Sequence, residues 1–157
     1  MHTINSNFSA PHSARLYDMD NDNDLDVVAV FDSSDSIVWF EHPQTLSNSE
    51  WNPTIINNNL NNLVEFTRGD FNNDGMQDFA LGSNSNGYLA VLEKQENSNN
   101  YIVHNYPYPS FTSVESTDID GDGDQDLITA SYAENKMDWW ENHHEILDNI
   151  FLNGFEN

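Results

Sequence analysis

Three nine-residue stretches carry the same arrangement of oxygen-bearing side chains: Asp18 to Asp26 (DMDNDNDLD), Asp70 to Asp78 (DFNNDGMQD) and Asp118 to Asp126 (DIDGDGDQD). In each, Asp or Asn falls at positions 1, 3, 5 and 9, an apolar residue sits at position 2, and a conformationally permissive residue (Asn23, Gly75, Gly123) sits at position 6. A hard divalent cation needs six to eight oxygen ligands at about 2.3–2.6 Å. Side chains at 1, 3 and 5 can surround one centre if the backbone turns sharply at position 6, where Gly or left-handed Asn is tolerated. The spacing therefore predicts a cation loop. The expected ligands are Asp18, Asp20, Asp22 and Asp26 in the first copy, Asp70, Asn72, Asp74 and Asp78 in the second, and Asp118, Asp120, Asp122 and Asp126 in the third. Asp24, Met76 and Asp124, at position 7, would add a backbone carbonyl each.

Two other readings compete. A helix-flanked calcium hand needs a bidentate Glu at position 12, where this chain has Ala29, Leu81 and Thr129. Asp/Asn/Gly clusters also serve as simple turns, but three copies in the same phase favour the cation. Calcium is the expected ion, up to three, one per repeat. The second loop carries the least charge and is expected to bind most weakly.

The elements that must position these loops repeat with them. The loops begin 52 and then 48 residues apart, a period that suits a four-stranded propeller blade. Each is followed by an apolar, strand-like run (Val27–Val30, Phe79–Leu81, Leu127–Ala130) and then by a strand ending in Glu41, Glu93 or Glu141, in every case 23 residues after the first loop Asp. Polar turns are expected at Asp32–Asp35, at Ser83–Gly87 and at Ala133–Asn135. Fourth strands are expected at Thr54–Ile56 and Tyr101–Val103. The segment His2–Phe8 aligns with Thr54–Leu60, so the chain is expected to open with a fourth strand that completes the last blade. The second strands are expected to be covered on both faces. Within the Trp39-Phe40 and Trp139-Trp140 pairs, strand alternation sends one residue of each inward, and Trp39 and Trp139 are the expected core members.

The fold expected is thus all-β: three propeller blades of about four antiparallel strands, in residues 1–142 and centred on 18–41, 70–93 and 118–141. Three blades make an incomplete ring, or part of a larger or oligomeric one. Residues 143–157 are expected to form a short-helical or poorly ordered tail.

Composition narrows the function. Four Lys+Arg against 27 Asp+Glu give a formal charge of −23, which three divalent cations would bring only to −17. Nucleic acid and anionic membranes are therefore excluded as partners. The absence of Cys rules out disulfides and thiolate metal sites. No apolar run reaches the roughly 18 residues of a membrane span, and the opening residues MHTINSNFSAP carry neither the charged nor the apolar region by which a signal peptide is read. Crowded carboxylates repel, so metal is expected to support folding.

Gly69 to Gly82 (GDFNNDGMQDFALG) resembles the calcium segment of FG-GAP repeats, as in integrin α-subunit propellers. Asp118 to Asn142 (DIDGDGDQDLITASYAENKMDWWEN) is similar to bacterial repeats of the FG-GAP-like or VCBS type. The likeness runs from about residue 12 to residue 142. It departs from the family where Phe-Gly and Gly-Ala-Pro strings are missing, where Asn23 replaces Gly, and where Val91-Leu92 replaces an aromatic pair. Ile150 to Glu156 (IFLNGFE) resembles a short tail ending secreted proteobacterial proteins, which implies that any missing blades precede the chain. The resemblance implies a calcium-binding, non-catalytic propeller module, secreted or at the cell surface, with an interaction, adhesion or structural role. Its partner would be a protein or glycan, or a second copy completing the ring. The alternative is an accessory or partial catalytic propeller of a polysaccharide-active lyase or hydrolase.

Three other features carry less. Arg68-Gly69-Asp70 spells an integrin-ligand tripeptide, but Asp70 is the first residue of a cation loop. His143-His144 could ligate a transition metal, although such pairs in polar tails are usually solvated. No nucleophile, base and orienting group stand together in a catalytic pattern, and no enzyme activity is expected.

Overall fold

The computed structural model describes residues 2–5, 7–43, 51–84 and 87–143. Among them are eleven strands and no helix: β1 (Pro11–Tyr17), β2 (Asp26–Phe31), β3 (Ser36–Glu41), β4 (Asn52–Asn57), β5 (Leu63–Gly69), β6 (Asp78–Ser83), β7 (Tyr88–Lys94), β8 (Tyr101–Pro107), β9 (Phe111–Thr117), β10 (Asp126–Ser131) and β11 (Lys136–Trp140). They form three antiparallel sheets in simple up-and-down order, β1-β2-β3-β4, β5-β6-β7-β8 and β9-β10-β11. These are propeller-type blades, and the third has three strands. The chain divides into two compact units, Met1–Val64 and Glu65–Asn157.

β2 (DVVAVF) is rich in β-branched residues, which suit a pleated surface. The β2–β3 hairpin closes on Phe31↔Ser36, with Asp35 donating its N–H to Asp32 O (3.2 Å) and taking the left-handed φ of 50° that Asp tolerates. The third sheet repeats this turn, with Asn135 (φ 50°) donating to Tyr132 O (3.3 Å). In the first unit, Val27, Ala29, Phe31, Val38 and Phe40 share one face and pack with Phe8 and Trp51. Phe8 lies edge-on to Phe40 (5.7 Å) and tilted against Phe31 (5.0 Å).

In the second unit the sheets stack face to face. Gly82 of β6 lies directly beneath the Phe111 ring of β9, in the space a Cβ would fill. Thr67 and Ser116 hydroxyls meet at 3.1 Å, and Ser116 also donates to Arg68 O (2.9 Å). Tyr108 and Trp140 meet edge to face at 5.6 Å, while Trp140 donates its indole N–H to Thr129 (2.8 Å).

Three expectations are corrected. Phe40 and Trp140 are the buried members of the aromatic pairs; Trp139 is 45% exposed and Trp39 half-buried. Phase is set by pairing: Phe40 opposes Val27 and Trp140 opposes Leu127, on the faces already packed. The described residues before Pro11 form no strand, and among the described residues the third sheet has no fourth strand. The second strand of that sheet is covered on one face only, with Ile128 40% exposed. The Asn86 part of the β6–β7 turn and the tail beyond His143 lie outside the described residues.

Candidate metal centre

Each loop links the first strand of a sheet to its second, and each is organised by its own carboxylates. The position-1 carboxylate accepts the N–H of position 6: Asp18 from Asn23 (3.1 Å), Asp70 from Gly75 (2.9 Å) and Asp118 from Gly123 (3.1 Å). Position 3 accepts from position 5, as Asp20 from Asp22 (3.2 Å), Asn72 from Asp74 (3.1 Å) and Asp120 from Asp122 (3.2 Å). Position 5 accepts from position 7, at 2.8, 2.7 and 2.9 Å in the three loops. These side-chain-to-backbone turns curl the chain around its acidic residues.

Position 9 does something different. Asp26, Asp78 and Asp126 are buried, 1%, 0% and 0% exposed. One oxygen of each accepts the N–H of position 2 (Met19, Phe71, Ile119, all at 3.0 Å). The other accepts the N–H of the residue just after the third strand's Glu: His42 (2.7 Å), Lys94 (2.8 Å) and Asn142 (2.8 Å). One carboxylate thus ties the loop to the end of the third strand. This bond accounts for the constant interval from loop to Glu, and it gives His42, Lys94 and Asn142 a role the residue types alone did not reveal. Asn142 also donates its side-chain amide to Phe71 O (2.8 Å) and Gln125 O (3.1 Å), binding the second loop to the third. Asn73 donates to Asp124 across the same gap.

Position 4 was also unforeseen. Asn21, Asn73 and Gly121 have φ of 63°, 54° and 83°, so each loop has two left-handed residues, the second at position 6 (72°, 84° and 100°). The signal was present in the residue types, since only Asn and Gly occupy either place.

Two loops gather three carboxylates with oxygens all within 4.8 Å of one another: Asp18, Asp20 and Asp22 in the first, and Asp118, Asp120 and Asp126 in the third. Two ligands of one ion at about 2.3–2.6 Å can be at most about 5 Å apart, so both trios are compact enough to share a cation. Their all-oxygen chemistry suits a hard one. Asp26 stands outside the first trio and Asp122 outside the third. Among the described residues the second loop forms no such trio: Asn72 turns its amide nitrogen to Asp74 (3.0 Å). Burial pushes Asp78 up to about 7, against the lowering effect of the Lys94 and Phe71 N–H groups, with Asp74 and Asp70 adding repulsion. Asp20 is also raised, by desolvation first and by its acidic neighbours Asp22, Asp26 and Asp18.

Two overlapping stretches, residues 18–81 and 70–129, match the family described as FG-GAP-like repeat. The chain belongs to the FG-GAP-like repeat family. Each match begins at the first Asp of a cation loop and ends within the second strand of the following repeat, so the loops set the register of FG-GAP-like repeats here as they do in the structure. No curated protein matches the chain in sequence.

Among the described residues the remaining candidates assemble no site. Arg68-Gly69-Asp70 lies at the end of β5, with Gly69 buried against Phe71 and Asp70 accepting N–H groups from Asp74 and Gly75. His143 pairs with Glu141 (3.5 Å), and His144 lies outside the described residues.

Proposed function

We propose that this chain is a calcium-binding repeat module of a secreted or cell-surface protein, non-catalytic, that presents its blades for interaction or adhesion. The observation that carries the reading is the pair of carboxylate trios, built in the same phase from self-capped acidic loops. In the first loop Asp18, Asp20 and Asp22 would hold the ion, and in the third Asp118, Asp120 and Asp126, with Asp24 and Asp124 offering backbone carbonyls. A bound divalent ion supplies positive charge where like charges crowd, in a chain of formal charge −23. Its work is structural: to hold a first strand to a second at one corner of each blade. Loops of this exposure suit millimolar calcium, an extracellular condition, which is what supports the localisation.

The test is thermal unfolding with calcium and with a chelator. A ligand that binds only the native state at about a hundredfold excess over its Kd adds about 2.7 kcal/mol per site, so a Tm higher by several degrees in calcium is expected. An unchanged Tm would reduce the loops to turns.

A further inference from the structure

The second cation loop is seated against the third, and the contacts between them come from places that the ligand pattern leaves free. Phe71, at position 2 of the second loop, is 1% exposed, whereas its counterpart Ile119 in the third loop is 38% exposed. At Gly69 the space that a Cβ would fill is taken by the Phe71 ring and by the side chain of Gln125, position 8 of the third loop. A glycine at 69 thus lets the third loop close over the second.

Two asparagines fasten this contact. Asn142, 2% exposed, gives its backbone N–H to Asp126 (2.8 Å) and its side-chain amide to Gln125 O (3.1 Å) and Phe71 O (2.8 Å). Its counterparts are engaged otherwise: His42 sets its ring against Trp51 (5.0 Å), and Lys94 reaches over the Tyr101 ring (5.0 Å). One side chain therefore holds a carbonyl of each loop, while its backbone holds a member of the third trio, Asp118, Asp120 and Asp126. Asn73, at position 4 of the second loop, gives its amide to the Asp124 carboxylate. Asp124 stands at position 7 of the third loop, so its carbonyl is offered to that loop's ion while its side chain holds the second loop.

The second loop has the weaker set of ligands by itself. It carries the least charge, and Asn72 turns its amide nitrogen to Asp74 (3.0 Å). An ion that fixes Asp124 and Asp126 fixes the acceptors of Asn73 and Asn142, and through them positions 4 and 2 of the second loop. Less ordering then remains for a second ion to impose.

We propose that the cation of the third loop prepares the second loop for its own, so that the two sites fill with positive cooperativity carried by Asn73 and Asn142. The proposal rests on the cation reading given above and adds to it a coupling between neighbouring sites. By linkage the coupling is reciprocal, and a factor of about fivefold or more is ordinary for such effects.

The experiment is calcium titration of the isotope-labelled full chain, followed by NMR at the backbone amides of Gly75 and Gly123. Their N–H groups are held by Asp70 (2.9 Å) and Asp118 (3.1 Å), so each reports its own loop. Wild type is compared with Asp120→Ala, Asn73→Gly and the double variant. Both positions are exposed. The third loop itself has Gly121 (φ 83°) at position 4, so Asn73→Gly removes the bond to Asp124 without straining the turn. In wild type Gly123 is expected to saturate first and Gly75 after it. Asp120→Ala should abolish the Gly123 transition and raise the calcium midpoint of Gly75 about fivefold or more. Asn73→Gly should raise the Gly75 midpoint while Gly123 still saturates, and the double variant should match Asp120→Ala alone. A Gly75 midpoint that Asp120→Ala leaves unmoved, or a Gly75 that never saturates while Gly123 does, overturns the coupling and leaves the third-loop cation standing. A double variant in which the two losses add overturns it as well, because the effect of Asn73 would then be local to its own loop. Absence of a saturable response at both glycines strikes the cation reading itself, and the coupling with it.

Discussion

Replacing Asp26 by Ala separates the architectural carboxylates from the cation-facing ones. Asp26 is 1% exposed and takes two backbone N–H groups, from Met19 at 3.0 Å and His42 at 2.7 Å. Truncation leaves both donors without this acceptor, in half-buried surroundings where water replaces it poorly. At about 1–2 kcal/mol for each bond to a charged acceptor, partly offset by relief of repulsion in so acidic a chain, the expected loss is about 2–4 kcal/mol. Asp20 is the control: it is exposed and accepts one N–H at 3.2 Å, so Asp20→Ala should change metal-free stability by less than about 0.5 kcal/mol. The assay is urea unfolding in chelator, at high salt to screen acidic repulsion, followed by tryptophan fluorescence. With calcium the ranking of ion dependence should invert, Asp20→Ala losing the calcium-induced gain and Asp26→Ala keeping most of it. Equal metal-free stability of the two variants would refute the division of labour, in the first loop, between Asp26 and the trio of Asp18, Asp20 and Asp22.

Gly82→Ala would drive a Cβ into the Phe111 ring and should destabilise the second unit by about 1–3 kcal/mol, read as a lower urea midpoint. Gly123→Ala meets nothing within 4 Å but must adopt a φ of 100°, so calorimetric melting should show a backbone cost of about 1–2 kcal/mol. Asp78, raised from 3.8 to about 7, binds a proton in the metal-free native state that the unfolded chain has released. Its contribution is fully present below pH 3.8 and lost as pH rises through about 7. Metal-free wild type should therefore lose stability across that window relative to Asp78→Asn, on the order of 4 kcal/mol at full effect, as measured by melting at a series of pH values.

The loops and strands were legible because they rest on local chemistry: Asp, Asn and Gly at fixed offsets, and β-branched runs between them. The constant interval from loop to Glu was legible as a number before its cause, the buried position-9 carboxylate reaching the next residue's N–H, could be known. Burial of the aromatic pairs was not legible. β2 and β10 carry apolar residues on both faces, so composition gives no phase, and cross-strand pairing alone decides that Phe40 and Trp140 turn inward. The described residues of the N-terminal segment match the Thr54–Leu60 pattern without forming a strand; Phe8 instead packs on the rings of Phe31 and Phe40. The left-handed residues Ala10, Asn62 and Ser110, with φ of 54°, 56° and 53°, precede the first strand in all three repeats. Their types share nothing, and only the backbone reveals the equivalence.

The central claim is that the acidic loops hold calcium, and titration of the metal-free chain with calcium by isothermal calorimetry tests it most directly. The account predicts saturable binding of two ions, at the first and third loops, with any third ion bound more weakly at the second loop, and loss of one strong site in Asp20→Ala. Absence of saturable binding, or binding that Asp20→Ala and Asp120→Ala leave untouched, would contradict it.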